Sequence, residues 1–338
     1  IKEDGEYKML LSIENILIFC LACALAASIG TSNISVAMSP SYSARVMRRK
    51  YLIILGSAAI FLGAYILGSN VLKTISKGIV FEGTFDTKIN AFTFYINSIL
   101  FLILANSLHV PISTTEIVVL SVVGIGIYEK TLNTEKFLQI VLWWIATPFF
   151  IFVIAYLFEK LIYLKIVDLL SKVRENTKIV FIIKTFTVGM GVYFSFSAGT
   201  NNAANSFGIV SAYKITGIKE SLFFAGLFMA LGGLIFSKNI IKTVGTKITN
   251  LGLLRAAFLQ FVEGTFLIIA SILGIPVSVN QTITSGMMGI EFARKGKKAI
   301  ENKFIITIIL FWTIVPILSI LTSLSIRKIF ENFKSFFT

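Results

Sequence analysis

The chain is punctuated by apolar runs long enough to cross about 30 Å of hydrocarbon as a helix. They fall at residues 10–29, 51–72, 89–108, 137–158, 179–198, 221–237, 256–274 and 304–325. Nothing else constrains the fold as tightly. Backbone in lipid must satisfy its own N–H and C=O groups, and only helices and closed barrels do so. The runs lack the apolar/polar alternation of barrel strands. Only 14% of residues are charged and 56% are hydrophobic, whereas soluble domains carry about a quarter charged residues. The expected fold class is an all-α polytopic membrane protein, in the cell (inner or cytoplasmic) membrane with the lipid bilayer as its solvent. Shorter apolar pieces at 33–44, 113–128, 201–213 and 279–293 follow polar interruptions.

The segment IKEDGEYK is mixed in charge, and the run after it lacks the cleavage pattern of a removable signal. That run is read as the first spanning helix. Cys20 and Cys23 form a C-x-x-C inside it without a βαβ context, so they read as packing residues rather than a redox pair. The formal net charge is +14, but the cations are scattered through short loops, where topology explains them. Nucleic-acid binding is discarded on that ground. The sequence shows no nucleotide-binding loop, Ser-His-Asp arrangement or metal-ligand spacing. It reads as neither an enzyme nor an ATP-driven pump, with no metal and no cofactor.

The chain also repeats itself. Gly30-Thr31-Ser32-Asn33-Ile34-Ser35 matches Gly199-Thr200-Asn201-Asn202-Ala203-Ala204, and Lys73-Thr74-Ile75 matches Lys242-Thr243-Val244, both at an offset of 169. Pro111-Ile112-Ser113 matches Pro276-Val277-Ser278 at 165, and Trp144-x-x-x-Pro148 matches Trp312-x-x-x-Pro316 at 168. The domain organisation read from this is a tail (1–8), a first transmembrane repeat (9–160), a basic linker (161–177), a second repeat (178–327) and a tail (328–338). Loop charges relate the halves. Arg45, Arg48, Arg49 and Lys50 have only Lys214 and Lys219 as counterparts, while Arg294, Lys295, Lys297 and Lys298 oppose a balanced loop at 129–136. Cytoplasmic loops collect Lys and Arg, so equivalent loops are expected on opposite sides and the repeat is inverted. The cations Arg327, Lys328 and Lys334 fit that orientation poorly.

Polar residues interrupt both halves at matching places, as in Ser197–Gly208, "SAGTNNAANSFG". Inverted halves with such interruptions are the signature of a secondary transporter whose site lies between the repeats near the midplane. Gly30, Gly199 and Gly208, with Pro111 and Pro276, are expected to break the helices there. Helix N-termini starting at the breaks would aim N–H groups at an anion. Small residues also serve helix packing, and for any one segment that reading competes.

These paired motifs resemble the inorganic phosphate transporter (PiT) family, whose repeats carry G-A-N-D-V-A-N-A and G-x-P-V-S-T-T-H. With "PISTTE" and "VLKTISKGI", the chain is most similar to the CysP-type sulfate permease branch of that family. The resemblance implies an inverted-repeat carrier with helical hairpins that moves an oxyanion together with a cation. Both breaks and both hairpins offer neutral hydrogen-bond donors, and the expected substrate ligands there are Ser32, Asn33, Thr200, Asn201, Asn202, Asn205, Ser113, Thr114, Ser278 and Asn280. Two positions depart from the family: its Asp is Asn33 and Asn202, and its His is Glu116 and Gln281. Sulfate only accepts hydrogen bonds, whereas monohydrogen phosphate offers one donor that a carboxylate would reward. Amides in place of the two Asp therefore favour sulfate, with phosphate the alternative substrate. A passive channel or an anion sensor is the alternative class.

Two acids lie at membrane depth and are coupling candidates, Glu116 and Glu263. Ser113-x-x-Glu116 is also a capping box, which would satisfy a helix start, and one carboxylate can serve both ends. With the family aspartates absent, Glu116 is the remaining acid at a symmetric motif and the expected proton carrier, so the coupling ion is expected to be H⁺ rather than Na⁺. His109 is the single histidine, placed for a structural hydrogen bond or a proton relay. Trp143, Trp144 and Trp312 read as interface and kink residues. The reading leaves room for a homodimer.

Overall fold

A computed structural model describes residues 12–108, 113–171, 177–247, 251–299 and 303–334. His109 and Pro111 lie outside the described residues, as does the tail 1–8. The first half contains α1 (Ile13–Ser43), α2 (Arg49–Leu67), α3 (Ser69–Lys73), a π turn (Thr74–Gly78), α4 (Lys88–Leu108), α5 (Thr114–Glu129) and α6 (Thr134–Leu157). A second π turn (Phe158–Tyr163) and α7 (Leu164–Ser171) occupy the stretch read as a linker. The second half contains α8 (Thr177–Asn202), α9 (Ala204–Ala212), α10 (Ile218–Lys247), α11 (Leu253–Ile272), α12 (Val279–Lys295) and α13 (Lys303–Lys334). Seven of the described helical segments are long and apolar enough to cross a membrane. Leu142, Ile145 and Phe149 share one face of α6 and are more than 60% exposed, as a lipid-facing stripe requires.

The halves pack by exchange. The first helix of each half lies on the second helix of the other, α1 on α10 and α8 on α2. Likewise α12 packs on α6 and α5 on α13. Between apolar helices in lipid the attraction is close van der Waals contact, so small residues mark the crossings. A Cβ on Gly30 would lie 2.0 Å from the Met229 carbonyl oxygen, and one on Gly199 would lie 2.1 Å from that of Ile60. Met229 and Ile60 are themselves 169 residues apart. The same glycine crossing is therefore built twice.

Equivalent loops lie at opposite ends of the molecule. One end gathers the start of α1, the loops at 79–87 and 130–133, and the turn after α9: Lys88 pairs with Glu14 at 2.5 Å, Lys214 with Asp86 at 3.2 Å, and Val80 bridges Leu132. Arg327 of α13 joins this end through Glu129 at 2.6 Å. Other contacts define the second end. Arg49 donates to the Lys238 carbonyl at 2.9 Å, the Leu251 N–H donates to Ser43 at 3.3 Å, and Arg255 pairs with Glu159 at 2.5 Å. Thus α4 and α5 enter and leave at one end, while α11 and α12 do so at the other. Two of the apolar runs, 89–108 and 256–274, are first arms of such hairpins.

The expected breaks at Gly30 and Gly199 are corrected by the backbone. The first motif runs through α1 without interruption, and α8 gives way to α9 only at Ala203, whose φ of −58° and ψ of −38° are helical. Hydroxyls inside the motif bond back to the preceding turn, Thr31 to the Ala27 carbonyl at 2.8 Å and Ser35 to that of Thr31 at 2.7 Å. Such back-bonding lets small polar residues stay helical. Gly208 also stays helical, in α9, against the Ile75 side chain. The glycines make room for neighbours rather than ending helices. The real interruption in the second half is the hairpin turn 273–278, where Gly274 takes a φ of +68° and Pro276 follows.

Candidate functional site

The irregular backbone of the turn 273–278 must be satisfied by protein, because lipid offers no partners. The Asn70 amide donates to the Ile272 carbonyl at 2.9 Å, Thr74 to that of Gly274 at 2.6 Å, and the Trp144 indole to that of Pro276 at 2.8 Å. Asn201 donates to the Ile275 carbonyl at 3.0 Å and accepts the Val277 N–H at 2.8 Å. Thr115 closes the set, its one hydroxyl hydrogen shared between the Val277 carbonyl at 3.3 Å and the Asn202 side-chain oxygen at 3.2 Å. The tip is thus clamped by residues from both halves.

Beyond each turn a helix begins with its N-terminus buried. Ser113 accepts the Glu116 N–H at 3.1 Å, and Ser278 accepts that of Gln281 at 3.3 Å. Both serines are therefore caps, as the sequence spacing predicts for Ser113. The N–H groups at the very start of α5, at Thr114, and of α12 have no carbonyl of their own helix to bond, and the positive dipole ends are there. The two starts meet: the Gln281 amide donates to the Glu116 carboxylate at 2.6 Å.

The G-T-x-N segments of α1 and α8 line this meeting place. Asn202 accepts from Thr115 at 3.2 Å and from Asn205 at 3.4 Å, while Asn205 also donates to Thr115 at 3.1 Å. Asn280 donates to Ser32 at 3.5 Å, tying α12 to α1. Asn33 and Asn202, equivalent in the repeat, are each 1% exposed, and the side-chain nitrogen of each has no hydrogen-bond partner. Unpaired buried donors are costly, about 1–3 kcal/mol each. Asn202 lies beside the start of α5 through Thr115, and Asn33, its equivalent in the repeat, follows Ser32, which Asn280 of α12 contacts; an unpartnered donor on each suits an acceptor anion.

The ten residues expected at the substrate thus divide. Asn202, Asn205, Ser32, Asn280 and Thr114 gather around the helix starts, Ser113 and Ser278 cap them, and Asn33 is buried next to Ser32 in the chain. Thr200 and Asn201 instead brace the second hairpin, Thr200 through Ser271 at 2.8 Å and Asn201 through the turn backbone. Thr115 and the Glu116–Gln281 contact were not in the expected ligand set. The repeat offset could have found Thr115, which pairs with Asn280 at 165. Glu263 is fully buried on α11, beside Thr282 of α12, the residue after Gln281. Asn33, Asn202, Asn205 and Ser113 are all buried. A surface cavity of about 340 Å³ lies elsewhere, lined by Lys77, Glu82, Asp86 and Lys214. Its two cations are matched by two carboxylates, and Lys214 is already paired with Asp86, so it is a poor anion site.

Residues 29–323 match the Phosphate transporter family. The chain is 33% identical to the sulfate permease CysP of Bacillus subtilis, over 93% of this chain and 87% of that protein. It is 27% identical to a putative phosphate permease of Methanocaldococcus jannaschii, over 94% and 97% of the two chains. A solved structure described as the sodium-dependent phosphate transporter shares the fold, with a TM-score of 0.80, 22% identity, and coverage of 95% of this chain and 99% of that one. By this match, the chain belongs to the phosphate transporter family.

Proposed function

We propose that the protein takes up an inorganic tetrahedral oxyanion, sulfate, by proton-coupled symport with alternating access. The observation that carries the substrate is the pair of unpartnered amide nitrogens on Asn33 and Asn202. A carboxylate at either place would repel a dianion that has no proton to share. Asn33, Asn202 and the starts of α5 and α12 supply neutral donors, replacing water lost when the anion is enclosed. Thr200 and Asn201 position the second hairpin without touching the anion. The two halves, taken as repeats spanning 9–160 and 178–327, let either hairpin release the site to its own end of the molecule.

Proton coupling follows from charge. Moving a dianion inward against an inside-negative potential costs about 2.3 kcal/mol per charge per 100 mV, and accompanying protons offset that work. Two buried acids, Glu116 and Glu263, are available to carry one. Phosphate is the second reading, favoured by the relatives named as phosphate permeases. Uptake of labelled sulfate into proteoliposomes separates the two. Selenate and thiosulfate should compete better than phosphate, and equal or stronger competition by phosphate would remove the argument from the two asparagines.

A further inference from the structure

Glu263 sits at the middle of α11 with 0% exposure, and neither carboxyl oxygen has a hydrogen-bond partner. The polar group beside it is Thr282 of α12, whose hydroxyl is donated to the Val279 carbonyl at 2.9 Å. The carboxyl lies against Gly286: a Cβ there would come within 2.8 Å of the Glu263 oxygen and 3.2 Å of Ile151. Gly286 therefore leaves the space that the acid fills.

The elements packed around it offer no charge. From α12 come Thr282 and Gly286, from α6 Ile151. On α8, Tyr193 is the titratable group near this part of α11, and its hydroxyl is engaged with Thr265 at 3.1 Å. Along α11 itself, Arg255 is about 12 Å away by helix rise and is paired with Glu159. Among the described residues, no charged group acts on the carboxyl.

The first half shows what a packing-only version of this place looks like. The repeat offsets set Ser98 opposite Glu263, Ser121 opposite Gly286 and Ser319 opposite Ile151. There Asn97 donates to Ser121 at 2.6 Å, Ser121 donates to the Ile117 carbonyl at 2.8 Å, and Ser319 to the same carbonyl at 3.1 Å. That network is satisfied throughout. Its counterpart holds a buried acid whose polar neighbour is the Thr282 hydroxyl, and a buried ionised carboxylate with no charged partner is strongly disfavoured.

Resting on the carrier reading above, we propose that Glu263 is the proton-binding site, and that the hairpin α11–α12 closes over the anion only when this acid is neutral. Thr282 is the residue after Gln281, so the acid packs on the turn of α12 that faces the anion site. An ionised Glu263 requires water, and water there holds α12 away from α11. A proton taken from the side of entry joins the carboxylate, the hairpin closes, and the proton leaves to water when the site opens on the other side. Glu116, already held by Gln281, acts as a latch between the hairpin tips.

The test is sulfate transport in proteoliposomes with Glu263→Gln, at clamped membrane potential. Wild type should accumulate sulfate about tenfold for an inward gradient of about one pH unit and one proton. Glu263→Gln should lose that accumulation, and its sulfate exchange should no longer change with pH. Glu116→Gln, which alters the latch, should run more slowly but reach the same accumulation ratio for a given pH gradient. A Glu263→Gln protein that still concentrates sulfate in response to a pH gradient overturns the assignment. Absence of sulfate counterflow in wild type would instead sink the carrier reading itself. Should the variant fail to fold, proton uptake on adding sulfate to detergent-purified wild type decides: about one proton per sulfate supports the proposal if Glu116→Gln retains it. No uptake, or uptake abolished in Glu116→Gln, overturns it.

Discussion

The Gln281 side-chain amide donates to the Glu116 carboxylate at 2.6 Å, joining the first turns of two helices that belong to opposite halves and enter from opposite ends. The two residues are equivalent in the repeat, 165 apart. The link therefore joins the starts of α5 and α12 directly, in addition to the bonds that clamp the turn 273–278.

A double-mutant cycle tests this link. Glu116→Ala and Gln281→Ala should each slow sulfate exchange several-fold, and the double variant should be little worse than either alone. Additive losses would mean that the two side chains act separately.

Asn202 accepts two hydrogen bonds through its oxygen, from Thr115 and Asn205, and offers an unpartnered nitrogen. Asn202→Asp keeps the acceptor and replaces the donor by a charge. Sulfate affinity should fall by about tenfold or more, and phosphate should gain relative to sulfate. Competition assays that leave the sulfate-to-phosphate ratio unchanged would show that the residue does not face the anion.

Asn201 braces the second hairpin by three hydrogen bonds, to Ser271, the Ile275 carbonyl and the Val277 N–H. Asn201→Ala orphans two buried backbone groups and should cost about 2–5 kcal/mol. Thermal unfolding in detergent reads that loss directly. An unshifted midpoint with transport abolished would mark Asn201 as a ligand instead.

Glycines provide a paired control. Gly232→Ala puts a Cβ 2.0 Å from the Ala27 carbonyl oxygen, so α1 and α10 must separate, whereas Gly189 has nothing within 4 Å of its Cβ position. The first substitution should lower the unfolding midpoint strongly. Gly189→Ala should be neutral or stabilise by up to about 1 kcal/mol.

Much of this was legible in the sequence for physical reasons. The offsets of 165–169 and the loop charges point to two inverted halves, because lipid allows few alternatives to spanning helices and Lys/Arg bias tracks sidedness. Pro276 and Gly274 mark a real turn, since both residues depart from helical backbone. What could not be read was that the G-T-x-N segments stay helical. Gly30 and Gly199 look like breakers in sequence, but their role appears only when the carbonyls of Met229 and Ile60 arrive from the other half. For the same reason the sequence does not show that Thr200 bonds Ser271 of α11 or that Asn201 bonds the backbone of the turn 273–278. The isolation of Glu263 also depends on tertiary packing, since Gly286 and Ile151 are remote from it in the chain.

The central claim is that this chain carries sulfate by alternating access. Counterflow tests it most directly. Proteoliposomes holding excess unlabelled sulfate, diluted into a trace of labelled sulfate, should show a transient uphill uptake of label that phosphate suppresses less than selenate does. Label that only equilibrates, with no overshoot in well-folded protein, would contradict the account and leave a channel or an anion-binding protein in its place.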